Sequence, residues 1–239
     1  MSGATWLLIA MAAFSLYTTG VCWRFAFRVW GKDAFGFGLR VLRLRLRQPL
    51  GFGGGRYAVL VLGIAIVLLD WRSWTTMLAW LVLLSQVAML SLPPFLVFLA
   101  ASSDESQQLY NSVRWATPGH TMALIRRRTL DWFFHASSWR ARDDLWVAAV
   151  RDLLSIARIV VVDTRGASQA LIDEARWLGE AGRPPATLLI TTESGTGALL
   201  EALDGNGIDL GPLRATRVPV SSAAHAVEAL TARVIAGRS

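Results

Sequence analysis

The sequence predicts two parts, a helical membrane anchor of three spans and a small α/β domain with a parallel, Rossmann-like sheet. The first observation is an uneven apolar content: hydrophobic residues make up 54% of the 239 residues, and most of the excess precedes residue 102. The second is that apolar runs alternate with helical periodicity in the remainder, which is typical of parallel α/β sheets. The third is the β-branched run at 159–162, which favours a strand buried on both faces.

Three apolar stretches predict the anchor, which covers residues 1–101. The first, residues 5–22, is long enough to span a membrane, and its aromatic and basic flank is typical of a retained span and not of a signal peptide. The second predicted span, residues 57–71, is shorter, and the third covers residues 75–101. Within the third, we expect Ser85 and Gln86 to hold neighbouring helices together through hydrogen bonds.

The distribution of charge predicts the orientation. The connector 23–56 carries eight basic residues and a single acid, Asp33, within a chain of net charge +7. The positive-inside rule therefore places this connector and the C-terminal domain in the cytoplasm and the N-terminus outside, as in a multi-pass protein of the inner membrane. Lipid headgroups explain basic clusters beside apolar spans better than nucleic acid does, since the sequence has no nucleic-acid motif.

Few residues favour metal or disulfide chemistry. Cys22 is the single cysteine, which excludes a disulfide within the chain and a cysteine-based zinc site. The three histidines show no metal-ligand spacing, so we expect no metal site.

The remainder divides into a polar linker, residues 102–120, and an α/β domain, residues 121–239. Patterning predicts, in order, a strand at 122–127, a helix at 145–157, a strand at 159–162, a helix capped by Ser168, a strand at 187–192, a helix at 198–203, a strand at 215–220 and a closing helix.

Two turns of this domain are candidate ligand sites, because open parallel sheets bind ligands beyond the carboxyl ends of their strands. Both turns lead into helix N-termini, whose free N–H groups suit phosphate. The candidate residues are Asp163, Thr164, Arg165, Gly166 and Ser168 in the first turn, and Glu193, Ser194 and Gly195 in the second.

The helix after residue 168 carries two carboxylates in different settings. Leu171, Ala175 and Leu178 form one apolar stripe at helical spacing. At about 100° per residue, Glu174 lies on the flank of this stripe and Asp173 lies opposite it. We therefore expect Glu174 to be partly buried near the sheet and Asp173 to face water.

This strand–turn–helix unit resembles part of the Toll/interleukin-1 receptor (TIR) domains. In that family a valine-rich strand leads into a Ser-x-x-x-x-x-Glu segment that opens a helix, and residues 160–162, Ser168 and Glu174 reproduce the spacing. The family's frequent Cys or Trp is replaced by Ala170 or Leu171.

The unit more closely resembles bacterial membrane proteins that carry a TIR-like nucleotide-sensor domain after their spans. The resemblance covers roughly residues 121–195 and depends on Leu124, Arg126, Asp131, Trp146, the run 159–163 and Glu174. It implies binding or cleavage of NAD or a related nucleotide, with Glu174 as a catalytic carboxylate that would stabilise a ribosyl oxocarbenium charge. Because the family's opening strand and loop are not recognisable, a trimmed domain is expected.

Three functions follow from these patterns. The sequence favours a membrane-anchored sensing or interaction protein whose cytosolic TIR-like domain binds a nucleotide-type ligand or a like domain. One alternative is an NAD-cleaving effector that uses Glu174. The other is a non-enzymatic membrane scaffold whose sheet only assembles oligomers. The partners expected are the lipid bilayer and a second copy of the chain.

Overall fold

The computed structural model of the chain describes residues 3–47, 74–101, 104–117, 121–124, 138–139, 143–180, 185–208 and 215–237. The chain divides into two compact units. The first comprises Met1–Leu92 with Leu130–Ala136, and the second comprises Pro93–Thr129 with Ser137–Ser239.

The first unit is helical. Its described elements are α1 (Gly3–Trp30), α2 (Asp33–Arg47) and α3 (Trp74–Leu90). Polar side chains join α1 to α3: the hydroxyls of Ser15 and Ser85 lie 2.6 Å apart, and Gln86 Nε2 donates to Ser15 Oγ at 3.1 Å. Ser85 and Gln86 therefore link two helices, as the sequence predicted. Large apolar side chains are exposed on α1 and α3, among them Trp6, Phe14, Tyr17, Trp80 and Leu84.

Among the residues that the structure describes, none of the helices combines the length and the apolar character needed to cross a membrane. The predicted three-span anchor is therefore wrong, and so is the predicted multi-pass location in the inner membrane. The second predicted span, residues 57–71, lies outside the described residues. In α1, the polar residues Ser15, Thr18 and Thr19 interrupt the apolar run on which the first predicted span was based.

The third predicted span, residues 75–101, divides into a helix and a strand. Helix α3 has 17 residues, so it is about 26 Å long, against about 30 Å for the hydrocarbon core of a bilayer. Pro93 and Pro94 follow the helix, and proline favours extended backbone in the residue before it. The chain then continues as a buried strand, Leu96–Ala100.

Within the described residues, the second unit contains a parallel sheet of six strands. They are β1 (Leu96–Ala100), β2 (Thr121–Leu124), β3 (Ser138–Trp139), β4 (Ile159–Asp163), β5 (Ala186–Thr191) and β6 (Thr216–Pro219). All neighbouring pairs are parallel, in the order β3-β2-β1-β4-β5-β6. This is the strand order of the doubly wound Rossmann fold, so the predicted Rossmann-like parallel sheet is confirmed.

Helices cover both faces of this sheet. They are α4 (Asp104–Trp115), α5 (Asp143–Ile156), α6 (Gln169–Glu180), α7 (Ala198–Gly205) and α8 (Ala223–Ala236). Helix α6 packs between α5 and α7, whereas α4 packs against α8. Right-handed crossovers require this separation, because the chain moves from β1 in one direction along the sheet and from β4 in the other.

The core lies around the two central strands. The residues of β1 from Leu96 to Leu99 are 0% exposed, and β4 is buried along its whole length. Phe98 pairs in register with Val161, and Ala100 pairs with Asp163. The sequence predicted β4, β5 and β6 close to their observed bounds, but it assigned β1 to the anchor. The compact unit is consequently larger than the predicted domain 121–239, and α4 occupies most of the predicted linker 102–120.

We expect Val97→Ala to destabilise the second unit by about 2 kcal/mol, because it removes two buried methyl groups from the central strand. Val147→Ala is the matched control: Val147 is 42% exposed on α5, so the same substitution should change stability little there. Hydrogen exchange of the β1 and β4 amides measures both effects. Equal exchange rates in the two variants would contradict the central position of β1.

Candidate functional site

The candidate site is the edge of the sheet at the carboxyl ends of β1 and β4, where the strand order of a doubly wound fold forms a crevice. From these adjacent strands the chain turns towards opposite faces of the sheet, and such a switch point is where doubly wound folds bind ligands. The register that pairs Ala100 with Asp163 places the Asp163 side chain at this edge. The β4 side of the crevice is the first predicted turn. The β1 side was not identified from the sequence, because it follows a strand that was assigned to the anchor.

Asp163 is 1% exposed and its carboxylate accepts four hydrogen bonds. Oδ1 accepts from Arg165 Nε at 2.9 Å and from the Arg165 backbone N–H at 3.2 Å. Oδ2 accepts from Arg165 Nη2 at 2.9 Å and from Ser106 Oγ at 2.8 Å. A buried carboxylate requires such a set of donors, because removing it from water without them would be strongly unfavourable.

Arg165 connects the two sides of the crevice. Its Nη1 lies 3.5 Å from Oε2 of Glu105, in the first turn of α4, and its side chain is 18% exposed. The hydrogen bonds that Arg165 donates to Asp163 raise the pKa of Arg165, so the guanidinium stays charged. We call Glu105, Ser106, Asp163 and Arg165 the switch-point cluster. Of its four members the sequence predicted Asp163 and Arg165; Ser106 and Glu105 lie in the segment interpreted as a linker.

The other residues of the first turn contact the backbone of neighbouring elements and hold the turn in place. Thr164 is 0% exposed, and its N–H and Oγ1 both donate to the Ile190 carbonyl, at 2.9 and 2.7 Å. Gly166 lies close to the end of β1, since a Cβ at this position would be 3.0 Å from Ala101 Cβ. Ser168 Oγ accepts the backbone N–H of Leu171 at 3.2 Å, so this residue caps α6 as predicted.

The second predicted turn forms hydrogen bonds within itself and to Ser221, which lies just before α8. The hydroxyls of Thr192, Ser194 and Thr196 lie within 3.1 Å of one another, and Gly195 has a φ of 81°, which favours glycine. The Glu193 carboxylate accepts the backbone N–H and the hydroxyl of Ser221, at 3.1 and 3.0 Å. Within the described residues, these side-chain hydrogen bonds do not join the switch-point cluster.

Glu174 is buried between α6 and α5, with 3% of its surface exposed. Burial raises the pKa of its carboxyl from 4.5 to about 8, and the neighbouring Asp173 adds to the rise. The buried indole N–H of Trp146 partly offsets it, although this N–H does not reach the geometry of a formed hydrogen bond. Glu174 is therefore mostly protonated at neutral pH and more deeply buried than predicted.

No protein-family model, curated protein or solved structure matches the chain. Within the described part of the chain, no group of three or more His, Cys, Asp and Glu side chains could hold a metal ion.

Raising the pH should destabilise the second unit through Glu174. The folded state retains a proton that the unfolded chain releases, so this stabilisation is complete below about pH 4.5 and is lost as the pH rises to about 8, at about 1.4 kcal/mol per pH unit. Glu174→Gln should remove this slope, and the exposed Glu201→Gln should keep it. Urea unfolding followed by circular dichroism across this range measures the slopes. Identical slopes in wild type and Glu174→Gln would contradict the assignment.

Gly197→Ala should loosen the end of β4. A Cβ at Gly197 would lie 2.5 Å from the Thr164 carbonyl oxygen, so backbone must move, at a cost of about 1–3 kcal/mol. Gly205→Ala, at the last residue of α7 with open space around it, should leave stability unchanged or raise it by up to about 1 kcal/mol. Hydrogen exchange at Thr164 and Leu199 measures the difference. Unaltered protection in Gly197→Ala would refute the close contact.

Proposed function

We propose that the second unit is a sensing or interaction domain that binds a nucleotide-type ligand in the crevice at the β1/β4 switch point. The observation that carries the proposal is the switch-point cluster, in which polar side chains from both sides of the crevice meet around one guanidinium. A salt bridge that serves only stability could lie anywhere on the sheet. The Asp163–Arg165 salt bridge lies at the switch point between β1 and β4, where doubly wound folds bind their ligands.

The chemistry of the cluster suits a nucleotide. A guanidinium offers N–H groups to phosphate, and hydroxyl and carboxylate groups pair with the hydroxyls of a ribose. Helices α4 and α6 both begin at this edge, and their first N–H groups favour negative charge. The residues after β1 read Ala-Ser-Ser-Asp, without the glycines that bring backbone close to a pyrophosphate. We therefore propose recognition by side chains and not by a glycine-rich loop.

The NAD-cleaving alternative depends on Glu174. Stabilising an oxocarbenium charge requires an ionised carboxylate beside the ribose. Glu174 is buried, and its raised pKa of about 8 keeps it mostly neutral at pH 7. This environment supports a structural role for Glu174 in the free protein, so we rank ligand binding above catalysis. The scaffold alternative needs no ligand at all, and binding measurements separate it from the proposal.

We expect calorimetric titration of the full chain with ADP, ADP-ribose and NAD to give saturable binding of at least one of them. Binding should slow hydrogen exchange in the segments 101–107 and 163–168 and leave the segment 192–197 unchanged. The double variant Asp163→Asn/Arg165→Gln removes the pair without leaving an unpaired buried charge, and it should weaken binding at least about tenfold. Arg233→Gln, an exposed arginine on α8, is the control.

The outcomes separate the three functions. Absence of heat and of protection with all three nucleotides would refute the proposal. Self-association measured by light scattering in that case would support the scaffold. Release of nicotinamide from NAD by wild type, and its loss in Glu174→Gln, would support the NAD-cleaving alternative.

A further inference from the structure

We infer that Glu105 occupies the position at which Arg165 binds the anionic group of a ligand, and that the ligand must displace it. This inference depends on the proposed function and assigns one step of recognition to a particular pair of side chains. The two carboxylates of the switch-point cluster contact the same guanidinium in different ways.

Asp163 holds one edge of Arg165 through two hydrogen bonds. Its two oxygens accept from Nε and Nη2 at 2.9 Å, the carboxylate is buried, and Ser106 adds a further hydrogen bond. Breaking this pair would leave a charge buried without a partner, which is strongly unfavourable. Asp163 is therefore a positioning residue, and it fixes the direction in which the remaining N–H groups of Arg165 point.

Glu105 contacts the remaining side of the guanidinium only loosely. Its Oε2 lies 3.5 Å from Nη1, beyond the usual range for an N–H···O hydrogen bond, and its side chain is 78% exposed. Exposed ion pairs of this kind contribute little, so water or another anion replaces the carboxylate readily. Arg165 thus forms one strong ion pair, with Asp163, and one weak ion pair, with Glu105.

The side of the Arg165 guanidinium that Glu105 contacts loosely suits a phosphate group. A guanidinium that is already oriented loses little conformational freedom on binding, and its planar N–H groups match the oxygens of a phosphate. Arg165 is largely buried, with 18% of its side chain exposed, so the interaction is less screened than at an open surface. Glu105 opposes phosphate binding in two ways. Its carboxylate takes the place beside Nη1, and its negative charge repels the phosphate. It consequently sets the affinity for charged ligands and leaves the affinity for uncharged ones unaltered.

The test titrates ADP and uncharged adenosine into the full chain by calorimetry. Glu105→Gln should tighten ADP binding about three- to tenfold and leave adenosine binding unchanged. Glu228→Gln makes the same change of charge at an exposed position on α8 and should alter neither ligand. Added salt should reduce the ADP difference between wild type and Glu105→Gln, because screening weakens repulsion between exposed charges.

Several results would overturn the inference. Weaker ADP binding in Glu105→Gln would make Glu105 a ligand contact and not a competitor. Equal tightening of ADP and adenosine, or the same gain in Glu228→Gln, would show an effect unrelated to Arg165. If wild type binds ADP and Glu105→Gln binds it equally, this inference fails and the proposed function stands. If no variant binds either compound while ADP-ribose and NAD also give no heat, both fail.

Discussion

The parallel pairing of β1 with β4 is the interaction on which the rest of the second unit depends. Both strands are buried on both faces, so they can only form where helices cover the sheet on each side. The chain leaves β1 in one direction and β4 in the other, and the right-handed crossovers then place α4 and α6 on opposite faces. The crevice between their first turns is thus a consequence of strand order, before any side chain is considered.

The side chains at this edge show how one buried charge determines its surroundings. The register that places Asp163 opposite Ala100 puts a carboxylate where water has little access. Such a group needs donors, and the nearest are Arg165, two residues further on, and Ser106, from the facing helix. Once Asp163 holds one edge of the guanidinium, the other edge must point towards the first turn of α4. The position of Glu105 beside Arg165 follows from this geometry.

The sequence predicted correctly those strands of the second unit that are preceded and followed by turn-forming residues. Strands β4 and β5 are flanked by polar turns and amphipathic helices, so their apolar runs were assigned correctly. Strand β1 follows a 17-residue apolar helix after only a short proline-containing segment, and a continuous apolar run does not distinguish a span from a helix followed by a buried strand. Because β1 was not recognised as a strand, the strand order could not be predicted. Glu105 and Ser106, which follow β1, were therefore not identified as site residues. Pro93 and Pro94 were the sequence signal that the apolar helix ends before β1.

Asp163 and Glu174 show two different solutions to the burial of a carboxylate. Asp163 meets a guanidinium and a hydroxyl, so its charge is compensated and can orient a neighbour. Among the described residues, the polar group that faces Glu174 is the indole N–H of Trp146, at poor geometry. Burial therefore raises the pKa of Glu174 to about 8, and its carboxyl keeps its proton at neutral pH. An ion pair recognises charge, whereas a neutral carboxyl between two helices makes their packing depend on pH. The proposed recognition therefore lies at the edge of the sheet at Asp163, and not at Glu174. For Glu174, the residue that the TIR resemblance singled out, the raised pKa instead predicts that the stability of the second unit depends on pH.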